Sequence, residues 1–166
     1  MKRSVGVAAL CAFALLTSPS TAADFKKGAL ITIPATFELK ASPSAVWTAV
    51  TSWEGFGALT GFQPTGPDKS FSKIGDSVPA KVWDDRGTLV VTGFSPQKEV
   101  RMTWEPGNAS YLCAKRVLLT PSAGGTKLEY WDRYTDDQPN ADETARKVAA
   151  DTQQHIAAFR KMVEKQ

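Results

Sequence analysis

The C-terminal segment of the chain is amphipathic, and it limits the folds that the rest of the chain can adopt. Between residues 140 and 165, apolar side chains recur at the spacing of an α-helix, and charged side chains occupy the opposite side. The apolar stripe consists of Val148, Thr152, Ile156, Phe159 and Val163. We therefore predict one long C-terminal helix with a single buried face.

The middle of the chain has the pattern of antiparallel strands. Strand-like runs at 31–40, 77–85, 88–94, 100–104, 111–120 and 126–135 are separated by turn sequences, one of them at 84–87. Pro34 predicts either an edge strand or the start of a strand, because proline has no N–H to donate to a neighbour. Such a sheet buries one face against another element, and the C-terminal helix is the large apolar partner in this chain. The sequence thus predicts an α+β fold with a curved antiparallel sheet around that helix.

The segment after the first strand predicts two short helices. Ser42 is a good N-cap, because its hydroxyl can accept a hydrogen bond from an unpaired helix N–H. Pro43 suits the first helical position, where its missing N–H costs nothing. Apolar side chains follow at helical spacing, at Val46, Trp47, Val50 and Trp53. We expect a common core that includes Val46, Trp47, Trp104, Ile156 and Phe159.

Four motifs in this order resemble one known superfamily. They are ASPSAVWTAVTSWEG at 41–55, GDSV at 75–78, TGFSP followed by VRMTW at 92–104, and LLTPSAGGTKL at 118–128. The first is similar to the opening A-S-P-x-x-V-W-x-x-x-T-x-W-x-G of the polyketide cyclase/dehydrase-like, START-related superfamily, called SRPBCC. The resemblance implies a helix-grip fold with a cavity between sheet and helix. Members of that superfamily bind lipids, sterols, polyketides or plant hormones, some catalyse cyclisation or dehydration, and a few act as protein cofactors.

The first residues have the pattern of a secretory signal peptide. Lys2 and Arg3 precede an uncharged apolar stretch at 5–16, and small residues at 18–23 suit cleavage after Ala22 or Ala23. The apolar stretch is too short to span a bilayer, and we expect no stable membrane span after cleavage. We therefore expect residues 1–23 to be removed and residues 24–166 to form a single secreted or periplasmic domain.

Charge and cysteine content exclude several classes of function. Of 20 Lys and Arg residues, Lys2 and Arg3 leave with the signal peptide, so the domain is nearly neutral against its 17 Asp and Glu residues. No basic cluster marks a nucleic-acid surface, and no nucleic-acid partner is expected. Cys113 is the one cysteine of the expected mature chain, which excludes an intramolecular disulfide and a multi-cysteine zinc site. No metal or cofactor is predicted, and Cys113 is expected to be buried.

Strand alternation nominates the residues that would line a cavity. If Leu128 and Tyr130 of the last strand point inward, Asp132 and Tyr134 do so too. A buried carboxylate must be paired, hydrogen-bonded or neutral. Asp132 is thus either a structural partner of Arg116, Lys115 or Tyr111, or a ligand contact or general base. The predicted ligand-binding residues are Trp83, Trp104, Tyr111, Arg116, Tyr130, Asp132, Tyr134 and His155.

Three functions remain open at this level. The first is an exported protein that binds a small hydrophobic or amphipathic molecule between the sheet and the C-terminal helix. The second is a cyclase or dehydratase, for which Asp132, Tyr134 and His155 would be the first acid–base candidates. The third is a protein-interaction cofactor with a filled core. No residue is assigned a catalytic role, and the oligomeric state is not predicted.

Overall fold

The computed structural model describes residues 29–67, 69–107, 111–136 and 141–165, and it has the predicted α+β helix-grip fold. In chain order the elements are β1 (Ala29–Leu39), α1 (Pro43–Val50), α2 (Trp53–Thr60), β2 (Gln63–Pro64), β3 (Ser77–Val82), β4 (Asp85–Ser95), β5 (Glu99–Pro106), β6 (Cys113–Ser122), β7 (Gly125–Asp136) and α3 (Ala141–Val163). The expected signal peptide lies outside the described residues.

Seven antiparallel strands form one curled sheet in the order β1-β7-β6-β5-β4-β3-β2. Of the two positions that Pro34 predicted, the structure shows the edge and not a strand start, because Pro34 lies within β1, which pairs with β7 and begins the sheet. In the pairing of β6 with β7, Lys115 lies opposite Asp132. This register brings two ionisable side chains to the same point on the concave face.

The two short helices begin at serine caps, as the sequence predicts for the first of them. The Ser42 hydroxyl accepts a hydrogen bond from the Ala45 N–H at 3.2 Å, with Pro43 in the first turn. The Ser52 hydroxyl does the same for the Gly55 N–H at 2.9 Å and begins α2. Side-chain oxygens of this kind satisfy N–H groups that have no partner within the helix.

The apolar stripe of α3 packs on the concave face of the sheet. Ile156, Phe159 and Val163 are buried, and the predicted common core of Val46, Trp47, Trp104, Ile156 and Phe159 is confirmed. The larger apolar side chains of the stripe lie in the C-terminal half of α3. Closer to the N-terminus the same face carries Val148 and Thr152, which are smaller and fill less space.

The hairpin between β3 and β4 differs from the predicted one. The predicted turn at 84–87 lies two residues too late, because Val82 pairs with Asp85 and the turn consists of Trp83 and Asp84. Gly87 lies in the strand, where an added Cβ would be 2.2 Å from the Glu105 carbonyl oxygen. Glycine is therefore needed at 87 for close strand packing. The prediction that Trp83 lies on a strand is wrong.

Within the four described segments, none of the helices combines the length and the apolar character that a bilayer crossing requires.

Candidate ligand-binding cavity

A cavity of about 630 Å³ lies between α3 and one end of the curled sheet. Its walls come from the end of α2 and the residues after it (60–63), residues 82, 83 and 85 at the β3–β4 turn, the beginning of β6, the end of β7 and the face of α3 from Thr144 to His155. The cavity lies beside the part of the α3 stripe that carries small and polar side chains. The position of the cavity thus follows from the decrease in side-chain size along that helix.

The floor of the cavity contains a buried ion pair. The Lys115 ammonium donates a hydrogen bond to Asp132 Oδ2, and the two side chains are 6% and 4% exposed. Cys113 lies on the same face of β6, with its sulfur 3.7 Å from Asp132 Oδ1. Buried charges of this kind are retained in proteins only when they are paired and hydrogen-bonded.

Burial and pairing shift the titration of these groups. Burial alone lowers the pKa of the Lys115 ammonium, but its acidic neighbours Tyr130, Cys113 and Asp132 outweigh that effect and raise it. Lys115 is therefore charged at neutral pH. Burial raises the pKa of the Cys113 thiol to about 11, so this thiol is protonated and is a poor nucleophile. The expectation of a buried Cys113 is confirmed.

His155 packs against the end of α2. Gly61 ends that helix with a φ of +80°, a conformation that glycine adopts without strain. A Cβ added at Gly61 would lie 2.3 Å from the His155 ring. Glycine thus allows the imidazole to enter the cavity wall. Burial lowers the pKa of His155, with Lys115 adding to the effect and Asp151 and Asp132 opposing it, so the ring is neutral at neutral pH.

Two aromatic side chains, Trp83 and Tyr111, line the cavity on the side of the exposed β3–β4 turn. The Tyr111 hydroxyl donates to Asp85 Oδ2 at 2.8 Å and accepts from the Trp104 indole N–H at 2.9 Å. The Trp83 side chain is 52% exposed, and its φ of +49° is unusual for a bulky residue. The Lys147 ammonium lies 4.8 Å from the centre of a Trp83 ring, an arrangement typical of a cation–π contact.

The structure brings together five of the eight residues predicted to bind ligand. Trp83, Tyr111, Asp132, Tyr134 and His155 all line the cavity. Their role in binding remains a prediction.

The other three predicted residues lie elsewhere. Trp104 and Tyr130 are fully buried in the core beneath the cavity. Arg116 lies on the outer face of the sheet, where it pairs with Glu99 and its guanidinium is 4.7 Å from the Trp131 ring centre. The reason is strand alternation, because Arg116 and Trp131 are opposite each other in the register and point away from the pair Lys115 and Asp132.

Lys115 is one of the charged wall residues that the sequence analysis did not place among the ligand-binding residues, and Asp85 and Asp151 are the others. For Lys115 the signal was present, because Cys113, Lys115, Val117 and Leu119 alternate along one face of β6 and all four are buried. An ionisable residue in such an apolar row marks a buried charge, and it predicts a partner on the adjacent strand.

Within the described segments, no three His, Cys, Asp or Glu side chains are grouped closely enough to hold a metal ion. The wall instead offers a charge-balanced floor, a neutral imidazole and aromatic rings at the opening. These groups can hold an amphipathic molecule by hydrogen bonds and apolar contact.

Comparison with known proteins identifies the fold and no closer relationship. No family model and no curated protein matches the sequence. Solved structures with this fold include a Bacillus halodurans protein, BH1534, with 15% identity and a TM-score of 0.65, covering 81% of this chain and 97% of that one. DynU16, from the dynemicin biosynthetic locus, has 17% identity and a TM-score of 0.62, covering 80% of this chain and 47% of its own. Ara h 8.0201 has 13% identity and a TM-score of 0.61, covering 83% and 100%. Such likenesses show a shared fold, which is consistent with the SRPBCC resemblance.

The buried ion pair can be tested by substitution. We expect Lys115→Met to lower the free energy of unfolding by about 3–5 kcal/mol, because it leaves the Asp132 carboxylate buried without its cation. The double variant Lys115→Met, Asp132→Leu should recover most of that loss, since both charges are then absent. Urea unfolding measures the free energy of unfolding of the parent protein, the single variant and the double variant. Arg116→Met is the control, and loss of its partly exposed pair should cost about 0–1 kcal/mol. A double variant no more stable than the single one would contradict this account.

The unusual backbone of Trp83 generates a second test. Glycine has no Cβ to clash at positive φ, so Trp83→Gly should be more stable than Trp83→Ala by about 1 kcal/mol. Thermal unfolding of the two variants measures the difference, and both lose the same indole. The same pair of substitutions at Asp84, in the same turn but without a positive φ, should favour alanine or show no preference. Equal stability of the two Trp83 variants would show that the turn is not strained.

Proposed function

We propose that this protein belongs to the SRPBCC superfamily and binds one small amphipathic molecule in the cavity beside α3. The observation that carries the proposal is the cavity itself, whose volume of about 630 Å³ lies within the range of about 300–1,000 Å³ common for small-molecule sites. Its wall combines aromatic surface with a few converging polar groups, which is the usual composition of such sites.

The polar groups favour binding over catalysis. A general base needs a lone pair that is directed at the substrate. The Asp132 carboxylate already accepts hydrogen bonds from Lys115 and Cys113. The charges of Lys115 and Asp132 are therefore directed at each other and not at a substrate. The raised pKa of Cys113 argues against nucleophilic catalysis by the thiol. The cavity also weighs against the third alternative, a protein-interaction cofactor with a filled core.

An acid–base enzyme is the second candidate, and neutral His155 is the observation in its favour. A neutral imidazole in a cavity wall can accept a proton, and the carboxylate of Asp151, one turn earlier on α3, would stabilise the resulting cation. One structural neighbour, DynU16, comes from a biosynthetic locus. Loss of turnover in His155→Gln with ligand binding retained would favour this candidate.

Binding in the cavity can be tested with a neutral apolar dye. We expect N-phenylnaphthylamine to bind the folded protein in a saturable way, with increased fluorescence. Val148→Trp should weaken that binding by about tenfold or more, because Val148 lines the cavity and the indole would fill part of it.

The matched control places the same side chain outside the cavity. Ala150 is exposed on α3, so Ala150→Trp should leave dye binding unchanged. Circular dichroism would verify that both variants remain folded. Equal binding by the two tryptophan variants, or no saturable binding by the parent protein, would remove the small-molecule proposal.

We also propose that the protein is exported after cleavage of its signal peptide. The support is the order of charged, apolar and small residues at 2–23. Intact-mass measurement on protein from its native host should give a first residue of Ala23 or Asp24. Retention of Met1 in all of the exported material would contradict the cleavage.

A further inference from the structure

We infer that the ligand carries a positively charged head group, an alkyl or aryl ammonium, that binds at the cavity opening against Trp83 and Asp85. This inference rests on the proposed function, because it names the chemical class of the molecule in the same cavity. The apolar body of the ligand would extend toward the floor formed by Lys115 and Asp132.

The charge balance of the wall is the first argument. The lining contains three carboxylates, Asp85, Asp132 and Asp151, and one ammonium, that of Lys115. Lys115 and Asp132 neutralise each other at the floor. The remaining carboxylates, Asp85 and Asp151, are only partly buried, and with the Lys147 ammonium beside Trp83 counted these groups still carry an excess of one negative charge. An ammonium would offset this charge, whereas a carboxylate or phosphate would be repelled by it.

The Trp83 ring is the second argument, because it already receives a cation. The Lys147 ammonium is 4.8 Å from the ring centre. Ammonium groups bind over tryptophan through the negative face of the ring, and quaternary ammonium ligands are recognised in this way. Lys147 is on the exposed side of α3 and is not part of the cavity lining. Its ammonium would therefore compete with the head group of a ligand for the Trp83 ring.

The conformation of Trp83 is the third argument. Trp83 has a φ of +49°, which strains the backbone of a bulky residue, and 52% of its surface is exposed. Burial of the indole therefore contributes little stability to offset that strain. Strained residues of this kind cluster at ligand sites. The turn also places Asp85 two residues away, with its carboxylate held by the Tyr111 hydroxyl at 2.8 Å. An aromatic face and an oriented carboxylate thus share one edge of the opening.

Three probes with the same eight-carbon chain separate charge from apolar contact. Octyltrimethylammonium, octanol and octanoate would each be titrated against the bound N-phenylnaphthylamine, whose displacement reports occupation of the cavity. We expect octyltrimethylammonium to bind about tenfold more tightly than octanol, and octanoate to bind most weakly. The advantage of the cation should decrease between about 0.01 M and about 0.15 M salt, because screening weakens attraction at a partly exposed site.

Removal of the competing lysine gives a test in which affinity increases. Lys147→Gln should raise the affinity for octyltrimethylammonium several-fold and leave that for octanol unchanged. Arg146→Gln is the matched control, because it removes the same charge from the adjacent exposed position of α3. Trp83→Gly should abolish the preference for the cation while the dye still binds.

The outcomes distinguish this inference from the proposed function. If the dye binds saturably but octanol or octanoate binds as tightly as the ammonium probe or more tightly, the inference of a cationic head group is wrong. The proposed binding cavity is then retained. Equal effects of Lys147→Gln and Arg146→Gln would also overturn the role of Trp83. Absence of dye binding by the parent protein would overturn the proposed function itself.

Discussion

The curled sheet and the single helix α3 enclose more space than their side chains fill, and the location of the unfilled part follows from α3. Ile156, Phe159 and Val163 close the core along the C-terminal half of this helix. Near its N-terminus the same face carries Thr144, Val148 and Thr152, which leave the cavity. Close packing is the norm in protein interiors, and a cavity of this size beside a well-packed core is the observation on which the proposed binding role rests.

The Lys115–Asp132 pair gives the cavity its chemical character. Two opposite charges on adjacent strands, both almost fully buried, make a polar floor with no net charge. That floor is compatible with a neutral or amphipathic molecule and gives no preferred site for an anion. The carboxylates without a cation in the lining are those of Asp85 and Asp151. The cavity thus has a neutral ion pair at its floor and negative charge elsewhere in its wall, which distinguishes it from a purely apolar cavity.

The fold by itself does not decide the function. The structural neighbours share less than a fifth of their residues with this chain, so their likeness extends to architecture. The argument for binding therefore depends on side chains particular to this sequence. Trp83, Lys115 and His155 come from a turn, a strand and a helix, and each contributes a different part of the wall.

The sequence by itself determined the fold class, the two short helices, the apolar stripe of α3 and the inward row of β7 that includes Asp132. These depend on periodicity and caps, which are local properties of the chain. Only the tertiary structure decided which inward residues face a cavity and which belong to the core. Trp104 and Asp132 both point inward by strand alternation, but Trp104 is packed within the core and Asp132 lines the cavity. It also decided that Arg116 faces outward while Lys115 faces Asp132, since the register between strands sets cross-strand partners. The turn at Trp83 was likewise a tertiary outcome, because Gly87 is required where the Trp104 ring and Glu105 approach the backbone.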